Sequence, residues 1–433
     1  EIGSGLVGSE MCIRDRGLSA AELAQDGKFY FCEGASAIII VRRKIMFKIK
    51  TLNAISDVIH EELSAEQYVI SPEEPVPEGI LVRSAVMHDA PLNPELLGIA
   101  RAGAGVNNIP LDKCTKQGIA VFNTPGANAN AVAELVLGAL VLGSRNVAAG
   151  IRWADTLKGQ ENVPKLVEKG KGQFVGPELR GKTLGVIGLG AIGRLVANAA
   201  SAGFGMKVVG CDPFISVESA WALSSSVRRA ATNEDVFAQV DYITFHVPLN
   251  DKTRGSINAA TIAKMKKGAI LLNFSRGELA NTADVKAALA SGQLGGYVTD
   301  FPCEELLGVE KVTCIPHLGA STPESEDNCA RMAAAELRDY LEVGSIRNSV
   351  NLPDVPLGTP EGVRVLVIHE NVPNMVATIT TCVSAEQINI DNLVNKSRKD
   401  VAVTVMELSD RPSKMALNVI SSIAGVIRVR VFG

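Results

Sequence analysis

The chain has 433 residues, of which 46% are hydrophobic and 21% charged, and its formal net charge is −4. This balance is typical of a globular protein of about three domains, and it excludes a disordered, collagen-like or coiled-coil chain. The absence of a strongly basic patch argues against nucleic acid as a partner. No apolar run reaches the roughly 20 residues of a membrane helix, so no membrane partner is expected. The eight cysteines form no C-x-x-C pair, which indicates reduced thiols in a cytoplasmic protein and no metal site.

The first 45 residues differ from the rest of the chain because they show no sustained hydrophobic period. Their opening resembles translated adapter sequence more than a targeting signal, so we expect residues 1–45 to be a non-native or disordered extension. From Met46 onward, short apolar runs such as 47–53 and 79–83 predict buried strands. Strand-like and helix-like runs then alternate to about residue 345. Nearly continuous apolar strands are typical of parallel sheets covered on both faces, so an α/β core is predicted.

A second, smaller module follows a proline-rich stretch that contains Pro353, Pro356 and Pro360. We interpret residues 351–361 as a linker because prolines interrupt regular structure there. The remaining residues, 362–433, read as strand, helix, strand, strand, helix, strand. This βαββαβ order predicts a ferredoxin-like module that is separate from the α/β core.

The strongest single motif is Gly188-Leu-Gly190-Ala-Ile-Gly193, which follows a predicted strand and opens a predicted helix. Glycines at this spacing permit a tight turn and a close approach of the backbone to a pyrophosphate at the helix N-terminus. Asp212 lies 19 residues after the last glycine, at the end of the next strand. An acidic residue there binds the ribose hydroxyls and repels a 2′-phosphate, so the motif predicts NAD rather than NADP.

Three further chemical groups each follow a predicted strand. They are Arg276, the adjacent pair Glu304 and Glu305, and His317, which is one of only five histidines. The carboxyl ends of parallel strands meet at one edge of a sheet, where open α/β sheets have their active sites. A guanidinium, a carboxylate and an imidazole are therefore expected to share one crevice and to carry proton-transfer chemistry.

The segments around these residues resemble the D-2-hydroxyacid dehydrogenase family, in particular members with a C-terminal ACT domain. The resemblance rests on NFSRGE around Arg276, IPHLGAST around His317, RAGAGVNNI at 101–109 and FNTPGANANAVAEL at 122–135. It implies a Rossmann-type, doubly wound NAD-binding domain at 128–319. This domain would be inserted into a flavodoxin-like, discontinuous substrate domain formed by 46–127 and 320–350. The ACT regulatory domain would occupy 362–433.

The resemblance also implies catalytic roles. Arg276 would grip the substrate carboxylate with two hydrogen bonds and polarise the C2 oxygen. His317 would take the hydroxyl proton, and a glutamate would stabilise the protonated imidazole. The family pattern Phe-Pro-x-Glu selects Glu304, which we assign to that role. The spacing from Arg276 favours Glu305, which stays open as the alternative.

Further binding residues follow from the same family motifs. The cofactor residues are Gly188, Gly190, Ala191, Ile192, Gly193, Asp212, His246, Pro248 and Asp300. The substrate residues are Arg83, Ser84, Ala104, Gly105 and Asn128. Arg83 and Ser84 would face a phosphate group, and the backbone of 103–107 would bind an anion. Alternatively, Arg83 is a partner in a surface ion pair and His246 is a core histidine with satisfied hydrogen bonds.

In the ACT region, the matching effector positions are His369, Asn371 and Asn389, where imidazole and amide groups suit an amino acid such as serine at a domain–domain interface. Asn374 departs from the glycine that many family members have, although asparagine tolerates the same left-handed backbone. The alternative is a purely structural dimerisation module. A homo-oligomer, either a dimer or a tetramer, is a further expectation of the family.

The implied activity is the NAD-dependent oxidation of 3-phosphoglycerate to 3-phosphooxypyruvate, the entry step to serine. One alternative is another 2-hydroxy acid as substrate, such as glycerate, hydroxypyruvate, glyoxylate, lactate or 2-oxoglutarate. A second alternative is an NAD-sensing interaction protein that resembles the corepressors of this family.

Overall fold

The computed structural model describes residues 46–433, so the expectation for residues 1–45 lies outside the described part. The elements of the first domain are β1 (Phe47–Leu52), α1 (Ile59–Glu62), β2 (Tyr68–Ser71), β3 (Gly79–Val82), β4 (Gly98–Arg101), α2 (Leu111–Lys116) and β5 (Ala120–Asn123). Its five strands pair in parallel in the order β2-β1-β3-β4-β5. This is the order of flavodoxin-like sheets.

The second domain is built around a sheet of seven strands. Its elements are α3 (Ala129–Arg145), α4 (Val147–Asp155), α5 (Val163–Gly170), β6 (Thr183–Ile187), α6 (Ala191–Ala202), β7 (Lys207–Cys211), α7 (Val217–Trp221), β8 (Val227–Arg229), α8 (Asn233–Phe237), β9 (Tyr242–Phe245), α9 (Ala259–Ala263), β10 (Ala269–Asn273), α10 (Thr282–Ser291), β11 (Leu294–Thr299) and β12 (Val312–Cys314). All strands are parallel, in the order β12-β11-β10-β9-β6-β7-β8. The order reverses between β6 and β9, which is the switch point where doubly wound sheets bind ligands.

Local sequence explains why the elements of this domain form where they do. The strands β6 and β10 are almost entirely buried, in keeping with apolar runs covered by helices on both faces. Asn281 caps α10 by accepting hydrogen bonds from the amides of Ala283 and Asp284. Gly292 ends the same helix in the left-handed region at a φ of 72°.

The long helix α11 (Pro323–Val343) returns from the second domain to the first. Thr322 caps its start by accepting a hydrogen bond from the amide of Ser325, and Gly344 ends it at a φ of 74°. The helix packs against β3, β4 and β5, where Leu337 and Tyr340 are fully buried. The first domain is therefore discontinuous in sequence, although the exact boundaries at 127/128 and 319/320 stay predictions.

The C-terminal module comprises β13 (Val363–Glu370), α12 (Met375–Ser384), β14 (Ile390–Arg398), β15 (Val401–Leu408), α13 (Lys414–Ser422) and β16 (Val426–Phe432). Its antiparallel sheet has the order β14-β15-β13-β16. The predicted βαββαβ order and the predicted α/β core are thus confirmed. Asn374 adopts the left-handed conformation at a φ of 65°, as expected for a residue that replaces glycine.

One face of this module packs directly on the first domain. Leu366, Ile368 and Val403 of its sheet share a single hydrophobic core with Leu337 and Tyr340. Four arginines of the module also donate hydrogen bonds to backbone carbonyl groups outside its sheet: Arg364, Arg398, Arg428 and Arg430. The module is therefore docked through a continuous core and a polar rim.

Within residues 46–433, no single helix is long and apolar enough to cross a membrane. The helices α3 and α4 meet that criterion only when they are taken together, and they are bent by 71° relative to each other. One face of α3 is buried in the core of the second domain, where Val136, Ala139 and Leu140 are fully buried.

Candidate active site

The glycine-rich turn occupies the switch point between β6 and β9. Gly188 has a φ of 88°, and a Cβ atom on it would lie 2.4 Å from the carbonyl oxygen of His246. A Cβ atom on Gly193 would lie 1.9 Å from the carbonyl oxygen of Gly188. Only glycine therefore fits at either position.

The start of α6 suits the diphosphate of a dinucleotide. Gly190 is the N-cap residue and provides no side-chain cap, so the first amides of the helix, beginning at Ala191 and Ile192, are left for another acceptor. No atom lies within 4 Å of a Cβ atom built on Gly190, so the surface above the turn is open. Free helical amides beneath open space form a cradle for phosphate.

Asp212 links the turn to the end of β7. Its Oδ2 atom accepts a hydrogen bond of 2.9 Å from the Leu189 amide, and its Oδ1 atom accepts one of 2.8 Å from the Phe214 amide. Each carboxylate oxygen retains a lone pair for a further donor. The residues present therefore fit the ribose of a nicotinamide dinucleotide.

His246 follows β9 beside Gly188. Its Nε2 atom lies 3.1 Å from the hydroxyl of Thr244, whereas its buried Nδ1 atom has no partner among the described residues. Burial lowers the pKa of His246 to about 4, so the imidazole is neutral near pH 7. One ring nitrogen of His246 thus lacks a hydrogen-bond partner among the described residues, which differs from the alternative of a core histidine whose hydrogen bonds are all satisfied. Pro248 lies two residues further on, and its carbonyl accepts a hydrogen bond of 2.6 Å from Thr253.

The groups expected to perform the chemistry gather at the ends of β10, β11 and β12. Burial raises the pKa of Asp300, and the positive charges of His317 and Arg276 lower it in turn. Asp300 also accepts a hydrogen bond from the Gly319 amide, while its Oδ1 atom has no partner among the described residues. The ring of His317 packs against Phe301, with 4.8 Å between the centroids. One buried carboxylate thus interacts with both cationic groups.

The loop of Arg276 is held in place by its own surroundings. The guanidinium donates a hydrogen bond of 2.6 Å to the carbonyl of Ser275, and the side chain of Asn273 donates one of 2.9 Å to the carbonyl of Arg276. Its Nη2 atom lies 3.6 Å from the position of a Cβ atom on Gly105. The guanidinium of the second domain therefore faces the 103–107 loop of the first.

Neither predicted glutamate partner contacts His317 in this structure. Glu304 and Glu305 are exposed in a short 3₁₀ turn. Within residues 46–433, no hydrogen bond or ion pair joins His317 to either of them. The pKa of Glu305 is lowered by a backbone hydrogen bond and by the thiol of Cys303. The choice between the two glutamates stays open, and the carboxylate that interacts with His317 here is that of Asp300.

The substrate side contains an arginine that motif reasoning did not single out. Arg101, at the end of β4, donates a hydrogen bond of 3.0 Å to the carbonyl of Arg83. Burial lowers its pKa, and repulsion from Arg276 and Arg83 adds to that effect. Arg101 therefore lies close enough to two other guanidinium groups to be repelled by them, and one of the two belongs to the second domain. The signal available in the sequence was the position of Arg101 as the first residue of RAGAGVNNI.

The other predicted substrate residues lie on loops after β3 and β4 and at the start of α3. The Ser84 amide donates to Asn53, and the Ala104 carbonyl accepts from Asn123. Asn128 precedes α3, and its side chain caps no amide of that helix. Arg83 itself forms an ion pair with Glu326, which agrees with the alternative that it is a partner in a surface ion pair.

The three predicted effector residues do not meet within one module. His369 is 2% exposed, and its ring nitrogens pair with the hydroxyl of Thr404 and the carbonyl of Glu370. Asn371 lies close by and donates to the carbonyl of Lys399. Asn389 precedes β14 at the opposite end of the sheet, about 23 Å away by strand length.

Comparison with known proteins gives a consistent result. Residues 141–319 match the family described as D-isomer specific 2-hydroxyacid dehydrogenase, NAD binding domain. The D-3-phosphoglycerate dehydrogenase of Rattus norvegicus is 37% identical over 300 residues, which cover 67% of this chain and 53% of that protein. The chain thus spans about half the length of that relative. A protein of the same name from Methanocaldococcus jannaschii is 38% identical over 264 residues, covering 60% of this chain and 48% of the relative.

Solved structures share the fold. The NAD+-bound 3-phosphoglycerate dehydrogenase of Entamoeba histolytica has a TM-score of 0.54 and 27% identity, covering 71% of this chain and 99% of that one. The D-mandelate dehydrogenase of Rhodotorula graminis has a TM-score of 0.62 at 24% identity, covering 72% of this chain and 100% of that one, and it supports the fold alone.

The longest match among these relatives extends beyond the nucleotide domain. The D-3-phosphoglycerate dehydrogenase of Haemophilus influenzae is 31% identical over 350 residues, which cover 78% of this chain and 82% of that protein. Taken together with the glycine-rich turn and the cluster of Arg276, Asp300 and His317, this match shows that the chain belongs to the D-isomer specific 2-hydroxyacid dehydrogenase family.

Proposed function

We propose that the protein oxidises 3-phosphoglycerate to 3-phosphooxypyruvate with NAD. The observation that carries this proposal is the proximity of three guanidinium groups: Arg101 donates to the carbonyl of Arg83, and Arg101 and Arg276 both lie within 4 Å of the position of a Cβ atom on Gly105. A 2-hydroxy acid needs one guanidinium for its carboxylate, and a second anionic group at the far end of the substrate needs more. A phosphorylated 2-hydroxy acid carries both groups.

In the proposed mechanism, the glycine-rich turn and Asp212 would hold NAD, which would supply the acceptor for the hydride of C2. Arg276 binds the substrate carboxylate and polarises the C2 oxygen, and a ring nitrogen of His317 accepts the hydroxyl proton. The buried carboxylate of Asp300 stabilises the imidazolium that forms, because opposite charges attract strongly away from water. Asp300 Oδ1 is also suited to accept a hydrogen bond from the nicotinamide amide. Glu304, or alternatively Glu305, would approach His317 only after its turn moves.

The substrate phosphate would lie on the first domain, near Arg83, Ser84 and Arg101. The backbone of the Ala104–Gly105 turn and the free side chain of Asn128 would bind the remaining oxygen atoms of the substrate. Because Arg276 belongs to the other domain, substrate binding would hold the two domains together and exclude water from the reacting atoms.

The test is to incubate the full chain with NAD and 3-phosphoglycerate and to follow NADH formation. Glycerate, lactate, glyoxylate with NADH, and 2-oxoglutarate with NADH are assayed in parallel. Turnover of 3-phosphoglycerate well above the others supports the proposal. Turnover of only an unphosphorylated acid replaces the substrate but keeps the reaction class. NAD binding without turnover of any of these acids favours the NAD-sensing alternative.

We also propose that the C-terminal module binds an amino acid such as serine in a homo-oligomer. His369 and Asn371 lie at one end of the sheet and Asn389 at the other. A single module therefore cannot present all three side chains to one small ligand. A site that uses all three requires two modules side by side, and calorimetry with serine together with the molar mass in solution tests this arrangement.

A further inference from the structure

One acidic side chain lies inside the cationic region. The Nη2 atom of Arg83 and the Oε1 atom of Glu326 are 2.5 Å apart, and the two side chains are 38% and 42% exposed. Within residues 46–433, Arg101 and Arg276 form no ion pair with a carboxylate. Glu326 therefore neutralises one of the three guanidinium groups and leaves the other two without a direct counter-ion.

Glu326 is held in this place by the helix that carries it. It lies in the first turn of α11, whose start is capped by Thr322. The next residue, Asp327, accepts a hydrogen bond of 2.5 Å from the hydroxyl of Ser56 and so ties the helix to the loop after β1. The backbone at Glu326 is thus fixed, while its side chain is free to rotate toward solvent.

A phosphate group that binds Arg83 must share the guanidinium with this carboxylate or displace it. Two negative groups that share one guanidinium lie close together and repel each other, so Glu326 opposes the binding of a phosphate dianion to Arg83. A half-exposed ion pair contributes little to stability, so a ligand with several hydrogen-bond acceptors can displace it. The carbonyl of Arg83 stays fixed by Arg101 and Asn108 during such an exchange.

We propose that Glu326 is an internal counter-ion that occupies Arg83 until a phosphorylated substrate displaces it, and that it thereby determines specificity. The carboxylate lowers the affinity for phosphorylated acids and leaves that for unphosphorylated acids nearly unchanged. This proposal rests on the proposed function, because it assigns the substrate phosphate to Arg83. Glu326 acts through Arg83 and takes no part in proton or hydride transfer.

The experiment compares Glu326→Gln with Glu324→Gln in the full chain. Glu324 is exposed in the first turn of the same helix, so its variant is matched for charge and for proximity to the helix N-terminus. The KM values for 3-phosphoglycerate and glycerate are measured, together with the Kd for inorganic phosphate by calorimetry. We expect Glu326→Gln to lower the KM for 3-phosphoglycerate and the Kd for phosphate about fivefold. Glycerate and the control variant should change less than twofold.

A double variant locates the effect. In an Arg83→Ala background, Glu326→Gln should give no gain in phosphate affinity, because the displaced partner is gone. If Glu326→Gln instead weakens phosphate binding, or if the gain persists without Arg83, the counter-ion role is overturned. A third outcome separates the two proposals. If Glu326→Gln lowers the Kd for phosphate only when Arg83 is present, but the wild type does not oxidise 3-phosphoglycerate, the proposed function fails while this inference stands.

Discussion

The carboxylate of Asp212 accepts hydrogen bonds from two backbone amides and therefore joins the glycine-rich turn to the end of β7. We predict that Asp212→Asn lowers the NADP-to-NAD ratio of KM values about tenfold, because it removes the negative charge that repels a 2′-phosphate. The neutral amide keeps one oxygen acceptor, so the glycine-rich turn should persist. Steady-state kinetics with both cofactors measure the ratio, and an unchanged ratio would show that discrimination lies elsewhere.

Arg276 is the second residue whose chemistry can be isolated. We predict that Arg276→Lys lowers kcat/KM roughly 100-fold, because an ammonium group cannot form the two parallel hydrogen bonds of a guanidinium. NAD affinity, measured by fluorescence titration, should stay within about twofold of the wild-type value. Arg254→Lys, at an exposed position of the same domain, is the control. Equal losses in both variants would contradict a specific role.

At His317, we predict that substitution by alanine abolishes turnover, because no other imidazole is available to accept the proton. Within the described residues, the pKa of His246 lies at about 4, and this ring is buried beside the nucleotide turn. NAD binding should remain nearly intact in the variant. Turnover at the wild-type rate would remove His317 from the mechanism.

Local patterns predict some of these residues well and others poorly. The glycine-rich turn and Asp212 form a continuous strand–turn–helix–strand unit, so their arrangement follows from spacing. The interactions of Arg101 and Glu326 with Arg83 join positions 18 and 243 residues apart, and nothing local indicates them. The proximity of Asp300 to His317 likewise depends on how two separate loops fold.

At the scale of elements, caps explain where prediction succeeds. The bounds of α6 and α10 coincide with such signals, because Gly190 and Gly203 flank the first helix, and Asn281 and Gly292 flank the second. In the C-terminal module, the order of the elements was predicted but the bounds of β14 were not. This strand runs from Ile390 to Arg398, and its hairpin turns at Lys399 with a φ of 55°. The helices α4 and α5 were not predicted, and neither contains a buried residue. A helix without a buried face has no need for regularly spaced apolar residues, so its sequence gives little indication of its position.

The helix α11 contains an acidic residue that gives the protein a pH-dependent stability. Burial raises the pKa of Glu336 from 4.5 to about 8, although Asn348 donates a hydrogen bond to it. A carboxyl group whose pKa is higher in the folded state favours folding below its unfolded pKa. That contribution is lost as the pH rises from about 4.5 to about 8.

We therefore predict that Glu336→Gln, which stays neutral, raises the Tm by about 3 °C near pH 9 and leaves it nearly unchanged near pH 5. Differential scanning calorimetry at the two pH values measures the difference. Glu324→Gln, on the exposed start of the same helix, should show no such dependence. An equal gain at both pH values would indicate a packing effect instead of ionisation.

At the scale of the whole molecule, arginines join the C-terminal module to the first domain. The guanidinium of Arg430 donates to the carbonyls of Tyr340 and Leu341 and lies 4.6 Å from the centroids of the Tyr340 and Phe432 rings. Arg364 donates to the carbonyl of Val343. These carbonyls lie in the last turn of α11, where few amides of the helix are available as donors, although the Tyr340 carbonyl also accepts a hydrogen bond from the Gly344 amide. Sequence predicted the module but not its position, because alternating arginines in a strand look like exposed positions.

We predict that Arg430→Ala lowers the free energy of unfolding by about 2–3 kcal/mol, because it removes the side-chain donor of the Leu341 carbonyl, one of the two donors of the Tyr340 carbonyl, and the contacts with two rings. Urea denaturation measures the change. Arg411→Ala is the control, since Arg411 is exposed and reaches only the terminal Gly433 carbonyl. A change below about 0.5 kcal/mol, which is ordinary for a surface substitution, would show that the apolar core alone holds the module.

The position of α11 has a consequence for recombination between relatives. This helix begins next to Arg83, which is proposed to bind the substrate phosphate, and its last carbonyls accept hydrogen bonds from arginines of the C-terminal module. A chimaera that carries a foreign tail must therefore supply equivalent donors and a matching apolar surface, or the helix end is left exposed. Exchanging α11 together with the C-terminal module avoids that defect only where β3, β4 and β5 of the recipient can pack against the incoming helix.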